Sequence, residues 1–99
     1  MSKADRLTFD DIILSKTRLV IISALAGGDK LDFTYLRDEL HLTDGNLSNQ
    51  IRKLEEAGYI KVQKVFVNRK PKTFCKITRK GQRAIKKLID KLEALIDLD

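Results

Sequence analysis

The chain has 99 residues, 42% of them hydrophobic and 34% charged, with a net charge of +6. That length fits one domain over residues 1–99 with one modest core, and it is too short for a second, sensing domain. The composition is that of a globular chain rather than a disordered one.

No apolar run approaches the roughly 20 residues that span a bilayer. The longest, Leu19-Val20-Ile21-Ile22, closes at Ser23. The opening residues, Met1-Ser2-Lys3-Ala4-Asp5-Arg6, lack the apolar stretch of a signal peptide. The expectation is a cytoplasmic protein with no membrane partner. A lone cysteine, Cys75, fits that compartment and cannot form an internal disulfide.

The positive charge is concentrated. Residues 1–58 carry a slight excess of acid, and residues 88–99 hold four acids and one lysine. Residues 59–87 hold eleven Lys and Arg and no acid. Such a block repels itself, so a polyanionic partner is its natural complement.

Taken in chain order, the apolar pattern predicts a first helix from near Asp10 to Ala26, stopped by Gly27-Gly28. Ser15 leaves open a short separate helix at Phe9–Leu14. Ile12, Ile13, Leu14, Leu19, Val20, Ile21, Ile22 and Leu25 make this helix apolar nearly all round, which requires burial on more than one side. Leu31-Asp32 offers one edge pairing. A second helix, Phe33 to Leu40, shows an inward stripe of Phe33, Leu36 and Leu40, with Asp32 or Thr34 as cap. A third, Asp44 to Ala57, has Thr43 as N-cap, Asp44 in its first turn, and Leu47, Ile51 and Leu54 as its buried face. Two helices joined by about three residues make a helix-turn-helix, at about 33–57.

After Gly58 the period changes. Tyr59–Val67 and Thr73–Ile77 read as the strands of a hairpin, a wing at about 59–77, with a basic tip at Asn68-Arg69-Lys70-Pro71-Lys72. Imperfect alternation around Lys64 and Phe66 predicts a bulge or strong twist. Thr78 caps a last helix, Arg79 to about Ile96, whose Ile85, Leu88, Leu92 and Leu95 form a heptad-like seam with Ile89 and Ile96 alongside.

On a helical wheel the outward face of the third helix carries Gly45, Asn49, Arg52 and Glu56, flanked by Asn46, Ser48 and Lys53. Short amides, a hydroxyl and long cations are the groups that reach base edges and phosphates in a major groove. Gly45 lets the helix N-terminus approach a phosphate closely. The candidate reading residues are Thr43, Asp44, Gly45, Asn46, Ser48, Asn49, Arg52 and Lys53. Glu55 and Glu56 place the reading in the N-terminal half. Lys64, Asn68, Arg69, Lys70 and Lys72 form a second candidate contact on the wing. The surplus apolar surface of the first and last helices, through Ile12, Ile13, Leu88, Leu92, Leu95 and Ile96, is assigned to a homodimer seam.

This order of elements, with Leu42-Thr43-Asp44-Gly45-Asn46-Leu47-Ser48, Leu54-Glu55-Glu56-Ala57-Gly58-Tyr59-Ile60 and Ile77-Thr78-Arg79-Lys80-Gly81, resembles compact single-domain winged-helix regulators of the MarR/ArsR kind. The resemblance implies a mainly α fold with a small β-hairpin (α+β), a dimer built from the terminal helices at about 79–96 and the N-terminal end, and double-stranded DNA as partner at a palindromic operator. One cysteine and one histidine cannot build the thiolate or imidazole cluster of an ArsR-type metal sensor, so no metal and no cofactor are expected. No nucleophile–base pair, phosphate loop or paired carboxylate points to an enzyme. The resemblance leaves room for a small-molecule effector between the dimer helices, though no polar residue marks such a pocket. A non-specific architectural or RNA-binding winged helix, or one used for protein assembly, stays open as an alternative.

Overall fold

The structure, a computed structural model, describes residues 8–97. It contains α1 (Lys16–Leu25), β1 (Leu31–Asp32), α2 (Phe33–Glu39), α3 (Asp44–Glu56), β2 (Ile60–Val67), β3 (Lys70–Ile77) and α4 (Arg79–Ile96). The antiparallel sheet has the order β1-β3-β2. Its core joins Ile13, Ile21, Ile22 and Leu25 to Leu36 of α2 and to Leu47, Ile51 and Leu54 of α3. Ile60, Cys75, Ile77 and Leu88 close it from the sheet and α4. Each fully buried Leu or Ile contributes about 1.5–3 kcal/mol.

The first helix is shorter than its apolar pattern predicts. Ser15 is extended and its hydroxyl accepts from the N–H of Arg18, so the helix starts at Lys16. Ahead of it, residues 11–13 form a turn. The Asp10 carboxylate accepts from the N–H of Ile12 at 2.9 Å, and the Asp10 carbonyl from Leu14 at 3.0 Å. Asp10 thus caps a single helical turn. The turn stops at Leu14 because Ser15 is extended, and Asp10–Leu14 becomes a short strap set off from α1.

Both helices of the helix-turn-helix end in the same way. After α2, His41 takes φ 54°, with Leu42 N–H on the Arg37 carbonyl at 3.0 Å. After α3, Gly58 takes φ 80°, with its N–H on Glu55 and that of Tyr59 on Leu54. These are Schellman endings. The turn between α2 and α3 is braced by Arg37, which pairs with Asp38 at 3.0 Å and Asp44 at 2.7 Å.

The hairpin differs from its prediction in two respects. Its turn is only Asn68-Arg69, both at positive φ (52° and 65°), so Lys70, Pro71 and Lys72 belong to β3. Positive φ at both central residues is the twist-matched two-residue turn. β1 pairs β3 only at Phe74 and Cys75, so Pro71 lies where β3 has one free side. No bulge interrupts the ladder: the register runs unbroken from Ile60↔Ile77 to Val67↔Lys70. Alternation fails because the ribbon leaves the body. Phe66 is 79% exposed, and there is no core beyond Lys64 to impose a face.

The other end of the hairpin is a tight junction. The Thr78 hydroxyl accepts from the N–H of Gly81 at 3.0 Å and donates to the Gly58 carbonyl at 2.6 Å. The N–H of Thr78 bonds the Tyr59 carbonyl at 3.0 Å. A Cβ at Gly81 would lie 2.2 Å from that same carbonyl oxygen. The Gly81→Ala protein should therefore lose about 1–3 kcal/mol of stability to overpacking. Chemical denaturation of the two proteins measures the difference, and an unchanged midpoint would refute the contact.

Candidate nucleic-acid interface

α3 divides cleanly. Leu47, Ile51 and Leu54 are buried, and Thr43, Asp44, Gly45, Asn46, Ser48, Arg52 and Lys53 are exposed, with Asn49 half-buried. Thr43 caps the helix through its hydroxyl, which accepts from the N–H of Asn46 at 3.1 Å. The Asp44 carboxylate is committed to Arg37, whose guanidinium is held above its ordinary value by the hydrogen bonds to Asp44 and Asp38. Asp44 thus braces the turn. The outward amides are also engaged: Gln50 donates to Asn46 at 3.3 Å, and Arg52 donates to Asn49 at 2.7 Å.

Gln50 is in turn held by Arg18 of α1, whose Nη1 donates to Gln50 Oε1 at 2.8 Å. The same guanidinium donates to the carbonyls of Ile12 at 2.6 Å and Asp11 at 3.3 Å. Sequence reasoning missed both residues. Arg18 lies 32 positions from Gln50, in a helix whose pattern advertises only apolar packing.

Lys64, Asn68, Arg69, Lys70 and Lys72 are all exposed on the distal half of the wing. Seven steps of about 3.3 Å along β2 put the tip roughly 23 Å from the junction. Phe66, across the ladder from Pro71, is a further exposed group there. Its strand pattern gave it no more weight than its neighbours.

The basic block is not one surface. α4 starts at the hairpin end opposite the tip, and Lys80, Arg83, Lys87 and Lys91 line a hollow of about 470 Å³ beside the strap. Phe9, Asp10, Tyr59 and Leu88 are also part of its lining, and Asp10 is its one acid among the described residues. Polar residues therefore mark a hollow that the sequence pattern does not reveal, because four cations along a helix face read as ordinary solvation. Lys80 lies 5.7 Å from the Tyr59 ring and Lys91 5.7 Å from that of Phe9.

The residues assigned to a dimer seam separate. Ile13 and Leu88 are buried in their own chain and Ile12 is half-buried. Leu92 (45%), Leu95 (40%) and Ile96 (73%) are exposed, with Ile89 beside them. Cys75 is buried, and burial first, then the charges of Glu55 and Asp32, push its thiol up to about 11. Among the described residues, no helix is long and apolar enough to cross a membrane.

Two helices across a braced turn, a three-stranded sheet and a projecting hairpin define a winged helix-turn-helix. The chain belongs to the winged helix DNA-binding domain family, whose model matches residues 17–96. An uncharacterised protein of Methanocaldococcus jannaschii is 41% identical over 78 residues, which cover 79% of this chain and 85% of that one. A transcriptional regulator homologue from Pyrococcus horikoshii superposes with a TM-score of 0.84 at 34% identity, covering 95% of this chain and 92% of its own. MarR shares the fold, with a TM-score of 0.73 at 22% identity over 88% of this chain and 63% of its own.

Tyr59 ties this interface to the strap: its hydroxyl donates to Asp10. Burial first, then that hydrogen bond, then the Asp10 charge push the phenol from 10 up to about 12. A raised value means that the protonated phenol stabilises the fold fully below pH 10, and that this contribution is lost as pH rises toward 12. Absorbance titration should show tyrosinate appearing near pH 12, a step missing from the Tyr59→Phe protein. Ionisation of Tyr59 at its ordinary value would contradict the tie.

Proposed function

We propose that this chain is a transcriptional regulator that binds double-stranded DNA as a homodimer at a palindromic operator, in the cytoplasm, by recognition rather than catalysis. The observation that carries this reading is the outward face of α3, where Asn46, Ser48, Asn49, Arg52 and Lys53 stand opposite a fully buried apolar stripe. On this reading the N-terminal half of α3 enters the major groove and makes the base contacts. The wing, with Lys64, Asn68, Arg69, Lys70 and Lys72, lies against the neighbouring backbone or minor groove and supplies sequence-independent affinity.

Dimerisation is supported by the far half of α4. Gly81, Ala84, Ile85 and Leu88 pack on the body, while Leu92 and Leu95 continue the same stripe beyond it. A second copy would cover them. Two reading helices related by a two-fold axis would then meet half-sites about one helical turn apart.

Selection from random duplexes at moderate salt should enrich a palindromic motif. Binding should weaken steeply with salt, and charge reversal at Arg69 and Lys70 should lower affinity for all sequences and flatten that slope. Asn46→Ala should lose roughly 1–3 kcal/mol on the selected site alone. A steep slope with no enriched motif would favour a non-specific architectural protein or an RNA binder. Failure to bind any duplex would favour a protein-assembly module.

For the dimer, sedimentation at micromolar concentration should give twice the chain mass, and Leu92→Asp with Leu95→Asp should halve it and abolish tight operator binding. A wild-type monomer would end the dimeric reading.

A further inference from the structure

The polarity of the hydrogen bonds on α3 restricts what its amides can read. Arginine carries five N–H donors and no acceptor. The atom of Gln50 facing Arg18 is therefore its carbonyl oxygen, at 2.8 Å, and the Gln50 amide nitrogen must point the other way. It points at Asn46, at 3.3 Å, so the Asn46 atom it meets is also an oxygen. The Asn46 NH₂ group is left facing outward. Arg52 imposes the same outcome on Asn49: its Nη2 donates to Asn49 Oδ1 at 2.7 Å. A donor-only arginine, acting through Gln50 on Asn46 and directly on Asn49, fixes the orientation of an amide that would otherwise rotate by half a turn at little cost.

Arg18 is itself well fixed. It sits in the first turn of α1, its N–H on the Ser15 hydroxyl, and its guanidinium is shared among Ile12, Asp11 and Gln50. The chain Arg18–Gln50–Asn46 thus starts from the strap and ends at the surface of α3.

An unconstrained asparagine reads adenine with both ends of its amide, donating to N7 and accepting from the N6 amino group. An asparagine whose oxygen is already turned to a donor on its own helix offers only N–H groups. The major-groove edge of guanine carries two acceptors, N7 and O6, and matches it. We propose that Arg18 and Gln50 are positioning residues that lock Asn46 as a donor, so that each half-site presents guanine, not adenine, to this position. Arg52 does the same for Asn49. The inference rests on the DNA-reading role proposed for α3 and adds its base preference.

The test exchanges the polarity of the middle link. Gln50→Glu is nearly isosteric, and its carboxylate can only accept. It receives Arg18 on one oxygen and the Asn46 NH₂ on the other, which turns the Asn46 oxygen outward. Random-duplex selection followed by competition should show guanine preferred over adenine about tenfold by the wild type, the size of one discriminating contact. The Gln50→Glu protein should prefer a donor-bearing edge, adenine or cytosine, at the same position. Gln50→Met, which has neither donor nor acceptor of strength, should discriminate little there; it also keeps the test informative if the Glu variant folds poorly, as thermal melting would reveal. A merely structural role for Gln50 would lower affinity without moving the preferred base. A wild-type motif retained unchanged in folded Gln50→Glu and Gln50→Met proteins would overturn the positioning role while leaving DNA reading intact. A wild type that enriches no motif would overturn both.

Discussion

The approach of Gly81 to the Tyr59 carbonyl sets the relative position of everything that faces outward. With a Cβ excluded at 2.2 Å, α4 lies against the residue that follows the C-terminal cap of α3. Thr78 closes the same contact from the side. One hydroxyl caps α4 through Gly81 and donates to Gly58, the residue whose positive φ ends α3. The end of α3, both roots of the wing and the start of α4 are therefore one bonded unit. Leu54-Glu55-Glu56-Ala57-Gly58-Tyr59-Ile60 and Ile77-Thr78-Arg79-Lys80-Gly81 look like two motifs in the sequence. In the fold they are the two halves of this junction, which is why they occur together.

Much of the architecture was legible because its signals are local. Leu47, Ile51 and Leu54 give α3 its face without ambiguity, and Thr43 and Thr78 are caps of ordinary chemistry. The start of α1 was legible only as an alternative, a break at Ser15, because Ile12, Ile13 and Leu14 continue the apolar pattern straight across it. Hydropathy does not register that Ser15 caps α1 and that Asp10 caps a separate turn ahead of it. The hairpin was placed correctly but given too long a tip. This two-residue turn takes positive φ at both positions, which the pattern supports at Asn68 but not at Arg69. The outward face of α3 was legible as a set of exposed polar groups. Its internal hydrogen bonds were not, since nothing in a helical wheel joins Arg18 to Gln50.

The molecule measures 56 × 24 × 23 Å, and its radius of gyration of 15.3 Å exceeds the roughly 13 Å of a compact chain of about 100 residues. The excess comes from two projections, the distal wing and the far half of α4. The wing loses alternation at Lys64 and becomes basic. α4 keeps its apolar stripe through Leu92 and Leu95, which are exposed among the described residues. A projection that carries cations and no acid suits a polyanion, and one with an intact apolar stripe suits a second copy. The basic block of the sequence is divided accordingly: the junction stands between the wing cations and those of α4, and only the former project with the tip.

The strap at Asp10–Leu14 connects these parts. Asp10 uses both carboxylate oxygens, one for the N–H of Ile12 and one for the hydroxyl of Tyr59. The carbonyls of Asp11 and Ile12 anchor Arg18, which orients Gln50. The strap is therefore tied to Tyr59 of the junction on one side and, through Arg18, to α3 on the other, and its Ile13 is buried. Loss of the apolar anchor would free Arg18 along with the strap. The asparagines would keep their places on α3, but Asn46 would lose the constraint on which end of its amide faces outward. A helix position brings a side chain to a base, and the partner behind it decides whether that side chain donates or accepts. In this chain the partner of Asn46, Gln50, is itself held from outside the helix-turn-helix by Arg18, whose own placement depends on the strap ahead of α1.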